Sequence, residues 1–322
     1  VEGISFVIHL SNIKIKHMKQ LLFFALSLSL FSSCQKVDQL SFEKYLKGKK
    51  NDKDGNLKLN INGLEDLGSA ARYEGWLIVE GQPVSTGVFS VDSKGKLDKT
   101  VFKVPEPVLN NASLFVLTVE PYPDNNPGPS DVHLLGGDFS NGSKSASVSV
   151  GHPAAIGNDY TMAEGKFIIG TPTDGPNSFE ESGIWFLSLA SGSPAPGLKL
   201  PTLPAGWKYE GWAVLNGRPV STGTFLYTDM ADESGIFSGP LPSPPFPGED
   251  FLTNAPSGLS FPTTLRGSTV VVSIEPYPDN SPAPFLLKPL ATSVADNALT
   301  FTDIMLKQNL GSLPTGTVHK TK

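Results

Sequence analysis

Tyr73-Glu74-Gly75-Trp76 returns as Tyr209-Glu210-Gly211-Trp212, and Pro83-Val84-Ser85-Thr86-Gly87 returns as Pro219-Val220-Ser221-Thr222-Gly223, both 136 residues on. Two matches at one offset cannot be chance, so the chain holds two copies of one folding unit. Leu64, Leu67 and Phe89 fall on Leu200, Leu203 and Phe225 in the same register. A second block, Glu120-Pro121-Tyr122-Pro123-Asp124-Asn125, returns as Glu275-Pro276-Tyr277-Pro278-Asp279-Asn280 at an offset of 155, so the second copy carries 19 extra residues between the blocks. That insertion lies in the Pro-rich stretch 240–262. Prolines cannot donate to a sheet ladder, so an extended surface loop is expected there, with Phe246, Phe251 and Phe261 either reaching out or folding back on the domain.

The repeated stretches read as strands. Residues 73–79 and 83–91 are β-rich runs around Glu80-Gly81-Gln82, and Asn216-Gly217 stands at the same spot in the second copy, a strong short hairpin signal. Residues 114–120 and 269–275 are apolar and β-branched, and each ends at a Glu-Pro step where pairing must stop. Further strands are expected at 56–61, 132–135 and 145–150, then at 167–171, 184–189, 285–287 and 299–304. With 32 Gly and 28 Pro, this pattern predicts an all-β chain of two tandem antiparallel β-sandwich domains, Ig-like or jelly-roll-like. The expected domains run over 54–150 and 165–306, with a linker at 151–164 and a flexible tail over 307–322.

The amino-terminal region bears on compartment. Lys19 precedes the apolar run Leu21–Phe31, which ends in Ser32, Ser33 and Cys34, the one cysteine of the chain. As a helix, eleven residues rise about 16 Å, roughly half of a bilayer's hydrocarbon core, so the run cannot span a membrane. A basic start, a short apolar core and small residues at the cleavage point make a secretory signal peptide over 1–33, with Met18 the expected initiator and 1–17 an over-extended start. Small residues directly before a lone cysteine resemble the lipobox of bacterial lipoproteins. Cys34 is therefore the expected lipidation site, and 34–53, polar and Lys-rich, the tether. The implied place is the cell envelope, facing periplasm or cell surface, with an outer-membrane lipoprotein favoured. The chain has a formal net charge of −6, and loss of the three Lys and one Glu before Cys34 takes it to −8. No basic patch is evident in the sequence, so nucleic acid is not an expected partner.

The residues that carry the repeat also carry a family resemblance. Leu200-x-x-Leu203-Pro204-Ala205-Gly206-Trp207-Lys208-Tyr209-Glu210-Gly211-Trp212, a hairpin, and Gly217 to Phe225 resemble the extracytoplasmic C-terminal domain of anti-sigma-K factors. Ser273-Ile274-Glu275-Pro276 with downstream Pro282 and Pro284 is similar to that domain's strand-end motif and Pro-rich loop, and the first copy matches over 64–89 and 119–129. The resemblance implies an outer, sensory or structural module present twice. The family's cytoplasmic sigma-binding domain and membrane span have no counterpart here, so any regulatory role is expected to act through another protein.

Signals of catalysis are absent from the sequence. His133, His152 and His319 are scattered, no phosphate loop, nucleophile elbow or dinucleotide fingerprint occurs, and no cofactor or metal is expected. Asn51-Asp52-Lys53-Asp54-Gly55-Asn56 is similar to the start of a calcium loop without its closing glutamate, and a solvated turn is the expectation. The candidate binding residues are Glu120, Tyr122, Asp124 and Asn125 with their counterparts Glu275, Tyr277, Asp279 and Asn280. Prolines would hold a phenol, a carboxylate and an amide together at a sheet end, suited to a protein partner or a glycan. The structural alternative has both tyrosines closing the end of the core and the aspartates bonding their own turns. Trp76, Trp212, Tyr73 and Tyr209 are expected in the core. The function expected is a non-catalytic envelope lipoprotein mediating protein contacts or signalling, the alternative a surface glycan-binding lipoprotein.

Overall fold

A computed structural model describes residues 53–322, apart from 176, 177, 279 and 280. The expected signal peptide, Cys34, nearly all of the tether, Asp279 and Asn280 lie outside the described residues. Residues 53–322 form one compact unit, and no described helix is long and apolar enough to cross a membrane.

The first copy contributes β1 (Asp54–Asn62), β2 (Ala71–Val79), β3 (Gln82–Phe89), β4 (Val101–Pro105), a short helix α1 (Glu106–Asn111), β5 (Ala112–Pro121), β6 (His133–Asp138) and β7 (Ser145–Ser149). The second contributes β8 (Glu164–Ile169), β9 (Gly183–Trp185), β10 (Leu187–Ser188), β11 (Ala195–Pro196), β12 (Leu198–Lys199), β13 (Trp207–Leu215), β14 (Arg218–Phe225), β15 (Gly248–Asp250), β16 (Thr269–Pro276), β17 (Leu290–Ser293) and β18 (Ile304–Gln308). A last strand, β19 (Thr315–Thr321), ends the chain. The chain is all-β with two large antiparallel sheets, as the periodicity predicts. Each sheet curls toward a barrel: its first and last strands, β3 with β4 and β14 with β15, come to lie beside each other.

Local sequence explains the paired hairpins. Glu80-Gly81 and Asn216-Gly217 both take positive φ at both residues, the turn whose twist matches the flanking strands. Each first strand bulges after its glycine, at Gly75/Trp76 and Gly211/Trp212. A Cβ at Gly75 would stand 2.6 Å from Thr86 Oγ1 and 3.0 Å from Phe115, which is why the motif requires glycine there. Tyr73, Trp76, Tyr209 and Trp212 are all buried, as expected. The hydroxyls of Tyr73 and Tyr209 donate to the carbonyls of Glu65 and Pro201, eight residues upstream in both copies, at 3.0 and 2.6 Å.

The carboxyl terminus departs from expectation. The order of the first sheet is β3-β2-β5-β6-β7-β19-β1-β4, so the segment expected to fray is a central strand of the first domain. Thr315 to His319 pair with β7, and Thr315 to Thr321 pair with β1, antiparallel on both edges. The second sheet runs β14-β13-β16-β17-β18-β8-β9-β15, and its corresponding slot, between β18 and β9, holds β8, the first strand of that copy in the chain. The tail carries one fully buried apolar side chain, Val318, opposite Leu59. Backbone pairing on both sides, rather than a core of its own, holds it in place.

Two further expectations change, and one of the two alternatives for the Pro-rich stretch is borne out. Residues 151–164 are not a loose linker, because Ala155, Ile156, Tyr160 and Ala163 are buried. The Pro-rich stretch folds back: it contains β15, buries Phe246 and Phe251, and stacks Phe251 and Phe261 with Phe237 at centroid distances of 5.4 to 5.9 Å. Phe285–Leu287 is buried loop, and the last strand of the second copy begins only at Ile304. Apolar runs alone do not separate buried loop from strand.

Deleting Thr315–Lys322 removes the shared partner of β1 and β7 and is expected to unfold the first domain, while Val318→Ala is expected to cost about 2 kcal/mol. Circular dichroism melts and urea titrations read both, and a truncated chain that melts like the intact one would refute the closing role of β19.

Candidate functional site

Pairing register places the repeated motifs side by side. Arg72 on β2 stands opposite Glu120 on β5, and Lys208 on β13 stands opposite Glu275 on β16. Strand alternation then puts Arg72, Glu74 and Trp76 on one face with Thr118 and Glu120. Trp76 Nε1 donates to Thr118 Oγ1 at 2.9 Å, the Thr118 hydroxyl donates to Glu120, and Glu120 also accepts the Ser130 N–H at 2.9 and 3.1 Å. The second copy repeats this arrangement. Trp212 Nε1 donates to Ser273 Oγ at 2.7 Å, Ser273 donates to Glu275, and Glu275 accepts the Phe285 N–H at 3.0 and 3.1 Å. In both copies the anchored N–H lies ten residues beyond the glutamate. Glu120 and Glu275 are buried, and a buried carboxylate is tolerated only when donors surround it. Each ties the return of the Pro-rich loop to the strand that launched it.

The tyrosines of the motif lie just past the strand ends. Tyr122 is 55% exposed and Tyr277 52%, so neither closes the core. Arg72 Cζ sits 4.4 Å from the Tyr122 ring centroid, and Lys208 Nζ sits 3.9 Å from that of Tyr277. Asp124 accepts the Asn126 N–H at 2.8 Å, bonding its own turn, and Asn125 is exposed beside it. The structure thus splits the motif into a buried glutamate and an exposed tyrosine carrying a cation. The two patches differ in charge. Arg72 donates to the carbonyls of Gly68 and Ala71, whereas Lys208 grips both oxygens of Glu233 at 2.5 and 2.6 Å. That ammonium, helped by the Thr224 hydroxyl, holds the Glu233 carboxyl below the usual carboxylate range.

A second group of acids went unseen in the sequence. Burial pushes the Glu74 carboxyl up, against the donating Ser85 hydroxyl and with the charge of nearby Glu120 adding to the rise. Asp232 accepts N–H groups from Gly248 and Ser234 at 2.8 and 3.1 Å. Burial, reinforced by Glu249 and Glu210, pushes it up to about 8. Glu249 is bonded by the hydroxyls of Ser234 and Ser238, and Asp250 by Thr173 and, at 2.7 Å, by Trp185 Nε1. Glu249 and Asp250 form β15 within the Pro-rich stretch. Their only sequence signal is an acidic pair among apolar residues.

The histidines serve turns and a strand. His133 Nδ1 lies 3.0 Å from the Ala154 carbonyl, and the Ala154 N–H donates to His152 Nδ1 at 3.1 Å, so both hold one loop, while His319 belongs to β19. Asp54 and Asn56 of the calcium-like segment lie in β1. Among the described residues, no group of three or more His, Cys, Asp or Glu is placed to hold a metal. No family model matches the chain, and no curated protein or solved structure matches it either.

Glu120→Ala and Glu275→Ala are each expected to cost about 2–3 kcal/mol, because each leaves buried donors unpaired. Tyr122→Ala removes one exposed ring and is expected to cost under about 1 kcal/mol. Equal costs in urea titrations would contradict the division of roles. Asp232 binds its proton more tightly folded than unfolded, so its contribution to stability is complete below about pH 4 and is lost as pH rises toward about 8. Asp232→Asn is expected to flatten that part of the melting-temperature profile, and an unchanged slope would show that the proton sits elsewhere.

Proposed function

We propose that this chain is a non-catalytic cell-envelope lipoprotein, anchored through Cys34, whose duplicated β-domains make contacts with envelope proteins. The observation that carries the reading is the half-exposed tyrosine with a cation on its ring, set at the same strand end in both copies. Tyrosine and arginine are the residue types that dominate binding energy at protein interfaces. The glutamate beneath each tyrosine fixes the loop that presents it, so little ordering remains to be done on binding. The cation takes one of the two faces of each ring, which favours a protein surface over a stacked sugar at this place. The lipobox-like Ser32-Ser33-Cys34 and the resemblance to the outer domain of anti-sigma-K factors support an envelope setting, with a signalling role exercised through a partner.

A photo-crosslinker placed at position 122 or 277 is expected to trap one discrete envelope protein that is not trapped from position 299, an exposed leucine next to Ala298, whose carbonyl bonds Arg266 at the opposite end of β16. Adducts shared by all three positions, or none at 122 and 277, would dismiss the contact surface. Cys34→Ser is expected to abolish incorporation of labelled fatty acid and to release the chain from the membrane pellet, and a parent chain that takes up no label would dismiss the anchor.

A further inference from the structure

We propose that the outer face of β7, β19, β1 and β4 binds an acidic polysaccharide, one whose sugars carry carboxylates. This surface exists only because the last strand of the chain enters the first sheet. Alternation sends Leu57, Leu59, Ile61, Ala146, Val148 and Val318 inward. The residues between them face out in register. His319 stands between Ser145 and Lys58, and Thr317 stands between Ser147 and Asn60. Thr315 likewise joins Ser149 to Asn62, and Asn56 lies between Thr321 and Lys103. His319 Nε2 lies 3.1 Å from Thr317 Oγ1, as two residues on one face of a strand should.

Charge on this face is mainly basic. The chain as a whole carries an excess of acids, yet among the outward positions of β1, β4, β7 and β19 the one acid is Asp54, at the end of β1. Lys58 and Lys103 project from it as exposed side chains, and Lys144 stands at its rim. A groove of about 600 Å³ is lined in part by Lys58, Asn60, Lys144 and His319.

The pattern selects the class of ligand. Hydroxyls and amides recur about 4.8 Å apart between strands and about 6.7 Å apart along them, each able to donate and accept, which complements a chain dense in sugar hydroxyls. The lysines are sparse, matching an occasional carboxylate rather than a phosphate on every residue. The outward positions of these strands hold no Phe, Tyr or Trp on which a nucleic-acid base could stack. The proposal uses none of the residues of the tyrosine patches, so either can fail without the other.

The test is affinity electrophoresis of the full chain through gels containing polygalacturonate, dextran or polyglutamate. Retardation is expected in polygalacturonate alone, falling about tenfold in apparent affinity for Lys58→Glu with Lys103→Glu. Thr317→Val, which alters no charge, is expected to weaken it severalfold, and Tyr122→Ala with Tyr277→Ala to leave it unchanged. About 0.5 M NaCl is expected to release the parent chain, which keeps the test decisive should the charge-reversed protein fail to fold. No retardation in polygalacturonate, equal retardation in dextran or polyglutamate, retention in high salt, or a folded charge-reversed variant that migrates like the parent would overturn the proposal.

Discussion

The strand Thr315–Thr321 is hydrogen-bonded along both edges, and the first domain depends on that pairing. Without it β1 and β7 would each present a row of unpaired backbone groups in the middle of the sheet, at positions where neither has another partner. The second copy fills the same slot with β8, its own leading strand. The first copy borrows its strand from the far end of the chain, so the two domains cannot be separated by cutting between them. Gln308 reinforces the fold near this end, donating to the carbonyls of Thr161 and Ala163 in the stretch between the copies. The backbone N–H of Leu286 does likewise across the copies, donating to Glu65 at 3.1 Å.

Within each copy the organising feature is a buried polar chain. Indole N–H, hydroxyl, carboxylate and loop N–H follow one another from Trp76 to Ser130 and from Trp212 to Phe285. Half-satisfied, such a chain would cost more than an apolar core, and complete, it specifies one loop path. This is why Glu-Pro-Tyr-Pro-Asp-Asn and the two prolines that follow recur, although the residue whose N–H returns to the glutamate is Ser130 in one copy and Phe285 in the other. The same anchoring holds a tyrosine outside the core, so a structural need and an accessible surface come from adjacent residues of one motif.

Burial of acids follows a different logic in the second copy. The inserted Pro-rich stretch brings Glu249 and Asp250 under cover, where hydroxyls, a backbone N–H and an indole N–H surround them. Desolvation outweighs these donors, and the carboxyls of Asp232, Glu249 and Asp250 are all raised. The insertion is therefore part of the domain's interior rather than an appendage.

Sequence alone determined the duplication, the all-β class, the two hairpins and the buried Tyr and Trp of each copy, because these rest on repeated motifs, alternation and turn chemistry that act over a few residues. It also singled out Glu120, Tyr122, Glu275 and Tyr277, but not which of them is buried: that choice follows from Ser130 and Phe285 returning to bond the glutamates. Tertiary structure decided the rest. Thr315–Thr321 carries too little apolar surface to announce itself as a strand, and its neighbours are more than 150 residues away in the chain. The outward face it completes, with Lys58 beside His319, joins residues that no local pattern could have brought together, because antiparallel pairing sets register between strands without regard to their distance in sequence.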